Sequence, residues 1–246
     1  MKILVTIIAT LVFLDFAKTQ NSPEIVPIPG GLSGTAHTTR YWDCCVPACS
    51  YPANASVVTH GVEYCLADGE TRVADGDYSK QPECQHPGGG AFTCNGNQPW
   101  IVNDTLAYGF TAASFKGGVE TNDCCKCLLI QFQGALEGKS LLAQVTNTGS
   151  DLTQNHFDIQ IPGGGVGIFT LGCMGQWGTP EDGWGERYGG ITSEEECSEL
   201  PPVLQEGCRF RWTFLEGVSN PNATFYQVRC PSDLVAITGC SNTSDL

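Results

Sequence analysis

Positive charge is scarce in this 246-residue chain: 12 lysines and arginines stand against 26 aspartates and glutamates, a formal net charge of -14. Such a surface repels a phosphate backbone, which argues against nucleic acid as a partner. It disfavours anionic membranes and polyanionic pectin for the same reason, while a neutral polymer remains compatible. No apolar run after the first residues is long enough to span a bilayer, so no membrane association is expected. No Gly-x-Ser-x-Gly elbow and no His-Glu-x-x-His motif occurs, which removes the usual support for a serine esterase or a zincin. Also missing are a Ser/Thr/Pro-rich linker, an internal repeat and a second small cysteine module. The chain reads as a catalytic or binding domain alone.

What is present begins with a leader. Lys2 supplies a positive start, Ile3 to Leu14 an apolar core and Ala17 a small residue, the pattern of a secretory signal over residues 1–20. Cleavage is expected between Ala17 and Gln20. A Pro/Gly lead-in (21–37) then precedes a single body (38–246), expected to be secreted, extracellular and monomeric. All 14 cysteines follow the leader. An even count in an exported chain implies disulfides. The spacings Cys44-Cys45-x3-Cys49 and Cys124-Cys125-x-Cys127 also admit a metal site, but the export signal makes bridges the preferred reading, with neither metal nor cofactor. Adjacent cysteines cannot easily bond to each other, so each cluster should staple distant segments. Asn54, Asn103, Asn222 and Asn242 each open an Asn-x-Ser/Thr sequon, candidate glycosylation sites on exposed positions.

Strand signals dominate the middle. Residues 127–132, 141–146 and 157–161 are short apolar or alternating runs bounded by turn residues, and 210–214 and 225–228 read the same way. Helical signals are weaker: residues 105–113 form one candidate, and 193–199 another, with Ser193 as a cap and Glu196 three residues on. The patterning indicates a mostly β barrel with long loops.

Two distant aspartates have unusual settings. Asp43 follows Tyr41-Trp42 and precedes Cys44-Cys45, so crosslinks would hold its backbone rigidly, which suits a base that positions a water. Asp158 lies in His156-Phe157-Asp158-Ile159-Gln160-Ile161. On a strand it points away from both apolar neighbours, and His156 shares its face. If that face is a cleft, partial burial would keep Asp158 protonated as a general acid. Two carboxylates in one cleft are the minimum equipment for cleaving a glycosidic bond. The glycine run Gly163-Gly164-Gly165-Val166-Gly167 lacks the following helix and lysine of a phosphate loop and reads as a turn packed closely on another segment. Asp151 looks like a turn residue in a loop. Tyr41, Tyr51, Trp100, Trp177 and Trp184 are the aromatics considered for sugar stacking, with Tyr41 set apart by its place beside Asp43.

Taken together, Thr39-Arg-Tyr-Trp-Asp-Cys-Cys-x-Pro-x-Cys49, Cys124-Cys-x-Cys127, Pro99-Trp100 with Asn103-Asp104, His156-Phe-Asp-x-Gln-Ile-Pro-Gly-Gly-Gly-Val-Gly-Ile-Phe169 and Arg187-Tyr-Gly-Gly-Ile191 resemble the signature of glycoside hydrolase family 45 endoglucanases. The resemblance runs from about Thr38 to Cys240. It implies a six-stranded double-psi β-barrel with long disulfide-linked loops, a few short helices and an open groove. It further implies internal cleavage of β-1,4-glucan, as in cellulose, with inversion. Asp43 matches the family's general base, Asp158 its general acid and Asp151 an assisting aspartate. Thr39, Tyr41, Tyr51 and His156 fall at substrate-binding positions, although Tyr51 stands where several relatives carry a stacking Trp. The implied bridges are Cys44–Cys173, Cys45–Cys84, Cys49–Cys124, Cys65–Cys94, Cys125–Cys240, Cys127–Cys230 and Cys197–Cys208.

Three rival readings share part of this pattern. Expansin-like wall-loosening proteins share the barrel and the His-Phe-Asp segment, but lack the matching base and carry a second β-sandwich domain. An inactive, barwin-type carbohydrate-binding or defence protein would not need both carboxylates. A xyloglucan- or glucomannan-cleaving enzyme of the same mechanism differs only in its preferred polymer.

Overall fold

A computed structural model describes residues 23–51, 60–74, 77, 79–116, 120–149 and 154–245. The leader, Asn54 and Asp151 fall outside these residues. Six strands close into a barrel: β1 (Ser33–Tyr41), β5 (Leu106–Ser114), β6 (Cys127–Phe132), β7 (Ser140–Thr148), β8 (His156–Gln160) and β9 (Ala223–Val228). Around the barrel the order is β5-β7-β6-β9-β1-β8, and pairing of β8 with β5 shuts it. The pairs β5/β7 and β1/β8 are parallel and the other four antiparallel. This is the double-psi barrel the resemblance implies. Strand β4 (Trp100–Asn103) extends the sheet beside β5, and β2 (Gln81–Pro82) pairs with β3 (Gly90–Ala91) apart from it. Closure removes free sheet edges from the barrel strands, which would otherwise be open to pairing with other chains.

The barrel interior is filled by alternate residues of these strands, among them Leu128, Ile130, Leu141, Ala143, Phe157, Ile159 and Phe225. Phe157 and Phe225 meet edge to face with centroids 4.8 Å apart. Strand β5 overturns the helical expectation for residues 105–113. Its alanines suit a helix locally, but the segment is buried along its whole length between β4, β7 and β8. Small residues are useful there: a side chain on Gly109 would press on Pro99 and Leu141.

A second correction concerns residues 210–214. They form no strand but belong largely to helix α2 (Pro202–Thr213). The spacing Phe210–Phe214 is i, i+4, and the two rings stack at 5.2 Å. Proline at the first helical position starts α2 without losing a hydrogen bond. Residues 195–199 form a 3-10 turn with Glu194 rather than Ser193 at the cap position, and Glu196 reaches back to the N–H and hydroxyl of Thr192. Helices α1 (Leu171–Trp177) and α3 (Ser232–Thr238) both end on a left-handed glycine, Gly178 and Gly239.

All fourteen cysteines are bridged, which removes the metal-site alternative for them. The pairs are Cys44–Cys173, Cys45–Cys84, Cys49–Cys124, Cys65–Cys94, Cys125–Cys240, Cys127–Cys230 and Cys197–Cys208. The cluster at 44–49 thus ties the end of β1 to three remote segments. Closing loops of 129, 39 and 75 residues restricts the unfolded chain by a few kcal/mol per bridge.

Candidate active site

Asp158 sits on β8 between two neighbours, in register with Thr39 of β1 and Ala112 of β5. Phe157 and Ile159 turn into the barrel, and Asp158 faces outward, half-buried. The Thr39 hydroxyl donates to Asp158 Oδ1 at 2.7 Å and lies 2.9 Å from His156 Nε2. A hydroxyl has one proton to give, so Thr39 accepts from Nε2–H while it donates to the carboxylate. His156 and Asp158 therefore share one outward face through Thr39. Named as a substrate contact from the resemblance, Thr39 spends its hydroxyl on holding the Asp158 carboxyl.

Asp43 lies just past the end of β1. Trp42 N–H donates to Gly165 O at 2.8 Å, and Cys44 is held in the left-handed region with φ 62°. The bridges at Cys44 and Cys45 pin the chain immediately after the carboxylate. Cys45 N–H donates to Asp43 Oδ1 at 2.9 Å. On the far side, Gly172 of α1 approaches so closely that a Cβ there would collide with the Asp43 carbonyl. Asp43 is 6% exposed. Burial pushes its carboxyl up from 3.8 to about 6, against the opposing pull of the Cys45 N–H. Such a group is ionised at neutral pH yet close enough to it to exchange protons efficiently.

Tyr41 stands between the two. Its hydroxyl accepts from Asn147 Nδ2 at 3.2 Å, and Asn147 Oδ1 in turn accepts the N–H groups of Ala48 and Thr148. Burial, then the nearby Asp43 charge, pushes the phenol well above 10 and keeps it neutral. A cavity of about 70 Å³ is lined by Tyr41, Asp43, Ala112, Asn147 and Asp158. Both aspartates therefore border one space. The small Ala112 in register with Asp158 leaves that space unfilled. It adjoins a larger cavity of about 460 Å³, which shares Tyr41, Asp158, Gly167 and Ile168 and adds Thr39, Arg40, Arg187 and Tyr188. Arg40 is anchored by Nε to Gly189 O and by Nη1 to Asn220 Oδ1. Burial lowers its pKa, and the Asp158 and Glu186 charges oppose that shift.

The glycine run proves to be a backbone contact. Gly164 lies on Tyr41, and Gly165 on the 187–190 backbone. Ile191 N–H donates to Gly163 O at 3.0 Å. Gly165 (φ 99°) and Gly190 (φ 73°) occupy a region that side chains rarely adopt.

The other aromatic candidates divide. Trp100 packs edge-on against Tyr108 at 5.5 Å, and Trp177 and Trp184 cover a core around Trp42 and Cys173. Tyr51 is half-buried beyond a 3-10 turn and does not line either cavity beside Asp158. The groove's exposed apolar rim is instead Ile168, Phe169 and Tyr188, at 53%, 44% and 67% exposure. In the sequence they stand only inside the family-like segments ending at Phe169 and opening at Arg187, with no binding role attached to them. The available signal was an apolar pair directly after a glycine turn, with no alternation to bury it.

The pattern described as glycosyl hydrolase family 45 matches residues 35–241. An endoglucanase of Phaedon cochleariae is 50% identical over 96% of this chain and 98% of its own length. An endoglucanase of Cryptopygus antarcticus is 48% identical over 89% of this chain and 95% of its own. The crystal structure of a cellulase from that Antarctic springtail superposes with a TM-score of 0.80 at 46% identity, covering 86% of this chain and 99% of the other.

Proposed function

The chain belongs to glycosyl hydrolase family 45 and is an endoglucanase, and on that premise we propose that it cuts internal β-1,4-glucosidic bonds of cellulose and related glucans with inversion, outside the cell. Asp158 protonates the leaving glycosidic oxygen. Asp43 removes a proton from a water, which attacks the anomeric carbon from the opposite face. No covalent sugar–enzyme bond is formed, because the water occupies the place a nucleophile would take. The observation that carries this reading is the shared cavity of about 70 Å³ bordered by both aspartates. A site needs only about 10–15 Å³ of such space per water, so a reacting water fits between the base and a bound sugar.

The remaining residues have definite tasks. Thr39, itself held by His156, keeps one oxygen of Asp158 in place as its charge changes. Asn147 fixes the Tyr41 hydroxyl beside Asp43. Ile168 and Tyr188 offer apolar surface to sugar C–H faces in the open groove. Asp151, at the position of the family's assisting aspartate, aids the same step. Seven disulfides are consistent with an oxidising compartment, which supports secretion.

The test is proton NMR of fresh products from cellohexaose. Inversion releases the new reducing end first as the α-anomer. Initial β-anomer would instead require a covalent intermediate and overturn the base role of Asp43.

A further inference from the structure

A second cavity, of about 350 Å³, lies along β1 beyond the groove, bordered by His37, Lys116, Gln133, Gln154, Asn155 and Asn222. His37 is two residues from Thr39, so at about 3.3 Å per residue this space is separate from the catalytic one but near it. Its volume is at the small end of ligand pockets, roughly 300–1,000 Å³. The lining is polar and has no aromatic platform, which is poor equipment for capturing a free sugar. It does include a sequon asparagine.

Asn222 opens Asn222-Ala223-Thr224 and is exposed. Its Oδ1 meets His37 Nδ1 at 2.9 Å, and its main-chain O accepts Gln133 N–H at 2.9 Å. The first bond holds the side-chain amide by its oxygen and leaves Nδ2 unengaged among the described residues. Asn242 is the opposite case. It is 3% exposed, and its Nδ2 donates to Cys124 O at 2.9 Å and Asn122 O at 3.5 Å. Ser244 N–H and hydroxyl occupy its Oδ1. A glycan on Asn242 would have to displace these contacts beside the Cys125–Cys240 bridge.

We propose that Asn222 carries an N-linked glycan in the folded, exported protein, that its first N-acetylglucosamine occupies the 350 Å³ cavity, and that Asn242 carries none. In the transfer step Nδ2 attacks C1 of a lipid-linked sugar pyrophosphate. The N–C1 bond forms, the C1–O bond breaks, the lipid pyrophosphate leaves, and one amide proton passes to the transferase's base. The donor and transferase belong to the secretory pathway. Within the cavity, the Asn155 carboxamide is already spent on Thr35 O and Lys116 N–H. The side chains of Lys116, Gln133 and Gln154 have no partner among the described residues and can bond the sugar hydroxyls and N-acetyl group.

The experiment is expression of the full chain through a yeast secretory pathway, followed by glycopeptide mass spectrometry of the folded, active fraction. Occupancy at Asn222 with none at Asn242 is expected. An empty Asn222, or a glycan on Asn242, overturns the assignment. Seating is read separately, from release of the Asn222 glycan by peptide N-glycanase. Release from the native protein should be at least tenfold slower than from the denatured chain. A triple Lys116→Ala, Gln133→Ala, Gln154→Ala variant should keep the glycan but lose most of that protection. Equal release from native and denatured wild type, or full protection in the triple variant, would refute the seat.

Discussion

Replacing Asp43 by asparagine should abolish activity and stabilise the fold, and the stabilisation should depend on pH in a way no other mechanism mimics. Burial raises the Asp43 carboxyl from 3.8 to about 6. Between those values the folded protein holds a proton that the unfolded chain has lost. Folded-state proton binding in excess means that stability falls as pH rises. The loss therefore begins near pH 4 and is complete somewhat above pH 6. Its size is about 3 kcal/mol, at 1.36 kcal/mol for each tenfold change in proton affinity. The substituted carboxamide cannot ionise, and its Oδ1 can still accept the Cys45 N–H that Asp43 accepts at 2.9 Å. The variant should match wild type within about 1 kcal/mol at pH 3.5 and exceed it by about 3 kcal/mol at pH 7.5. At 2–4 °C per kcal/mol for a chain of this size, the gap at pH 7.5 is about 6–12 °C in Tm. The assay is thermal unfolding by circular dichroism, disulfides intact, in half-unit pH steps. Hydrolysis of neutral cellohexaose by the variant should fall at least ~100-fold, the lower end for a general base. Wild-type kcat/KM should show an acidic limb with an apparent pKa near 6. Parallel stability curves, or a limb near pH 4, would show that Asp43 is not desolvated as its surroundings require.

Other outcomes rest on the same geometry. Asp158→Asn should lose cellohexaose hydrolysis at least ~100-fold but retain most activity on a dinitrophenyl cellotrioside, whose leaving group needs no proton; if Asp43→Asn is the variant spared by that substrate, the two roles are reversed. Asp151→Asn should cause a smaller loss than either, and a loss as large would make it a principal carboxylate. Thr39→Val removes the 2.7 Å hydrogen bond to Asp158 and should lower kcat about tenfold, consistent with ~1.5 kcal/mol for a bond to a charged group. Thr39→Ser should recover most of it, and equal losses would point to packing. Tyr188→Ala, at a residue 67% exposed, should raise KM about threefold to tenfold, about 1 kcal/mol of ring contact, with Tm unchanged. A kcat effect alone would place the ring outside the groove.

Legibility varied with how local each interaction is. The alternation Phe157-Asp158-Ile159 has period 2, so the outward direction of Asp158 could be read directly. The rigidity around Asp43 was also legible, because adjacent cysteines cannot close on each other and must reach remote partners. Which partners they reach was supplied by the resemblance, not by spacing. Residues 105–113 and 210–214 mislead locally because composition favours one element and the burial of the neighbours decides the other. Alanine-rich β5 is a strand because β4, β7 and β8 satisfy its backbone on both sides. Phe210 is helical and Phe214 closes the helix end, which lets their rings stack one turn apart. The sequons look alike in sequence, and only packing separates an open Asn222 from a buried Asn242.

The amino-acid order by itself determined the class of the molecule: a disulfide-rich β protein of acidic charge with two framed aspartates. Charge, cysteine parity and strand period are properties of single residues and near neighbours, and they survive without a fold. Tertiary structure alone brought Asp43 and Asp158 to one cavity and raised the Asp43 carboxyl. It also turned Ile168 and Tyr188 into a groove rim. Those depend on closing β8 between β1 and β5 and on water excluded by segments more than a hundred residues apart, which no short stretch of sequence encodes.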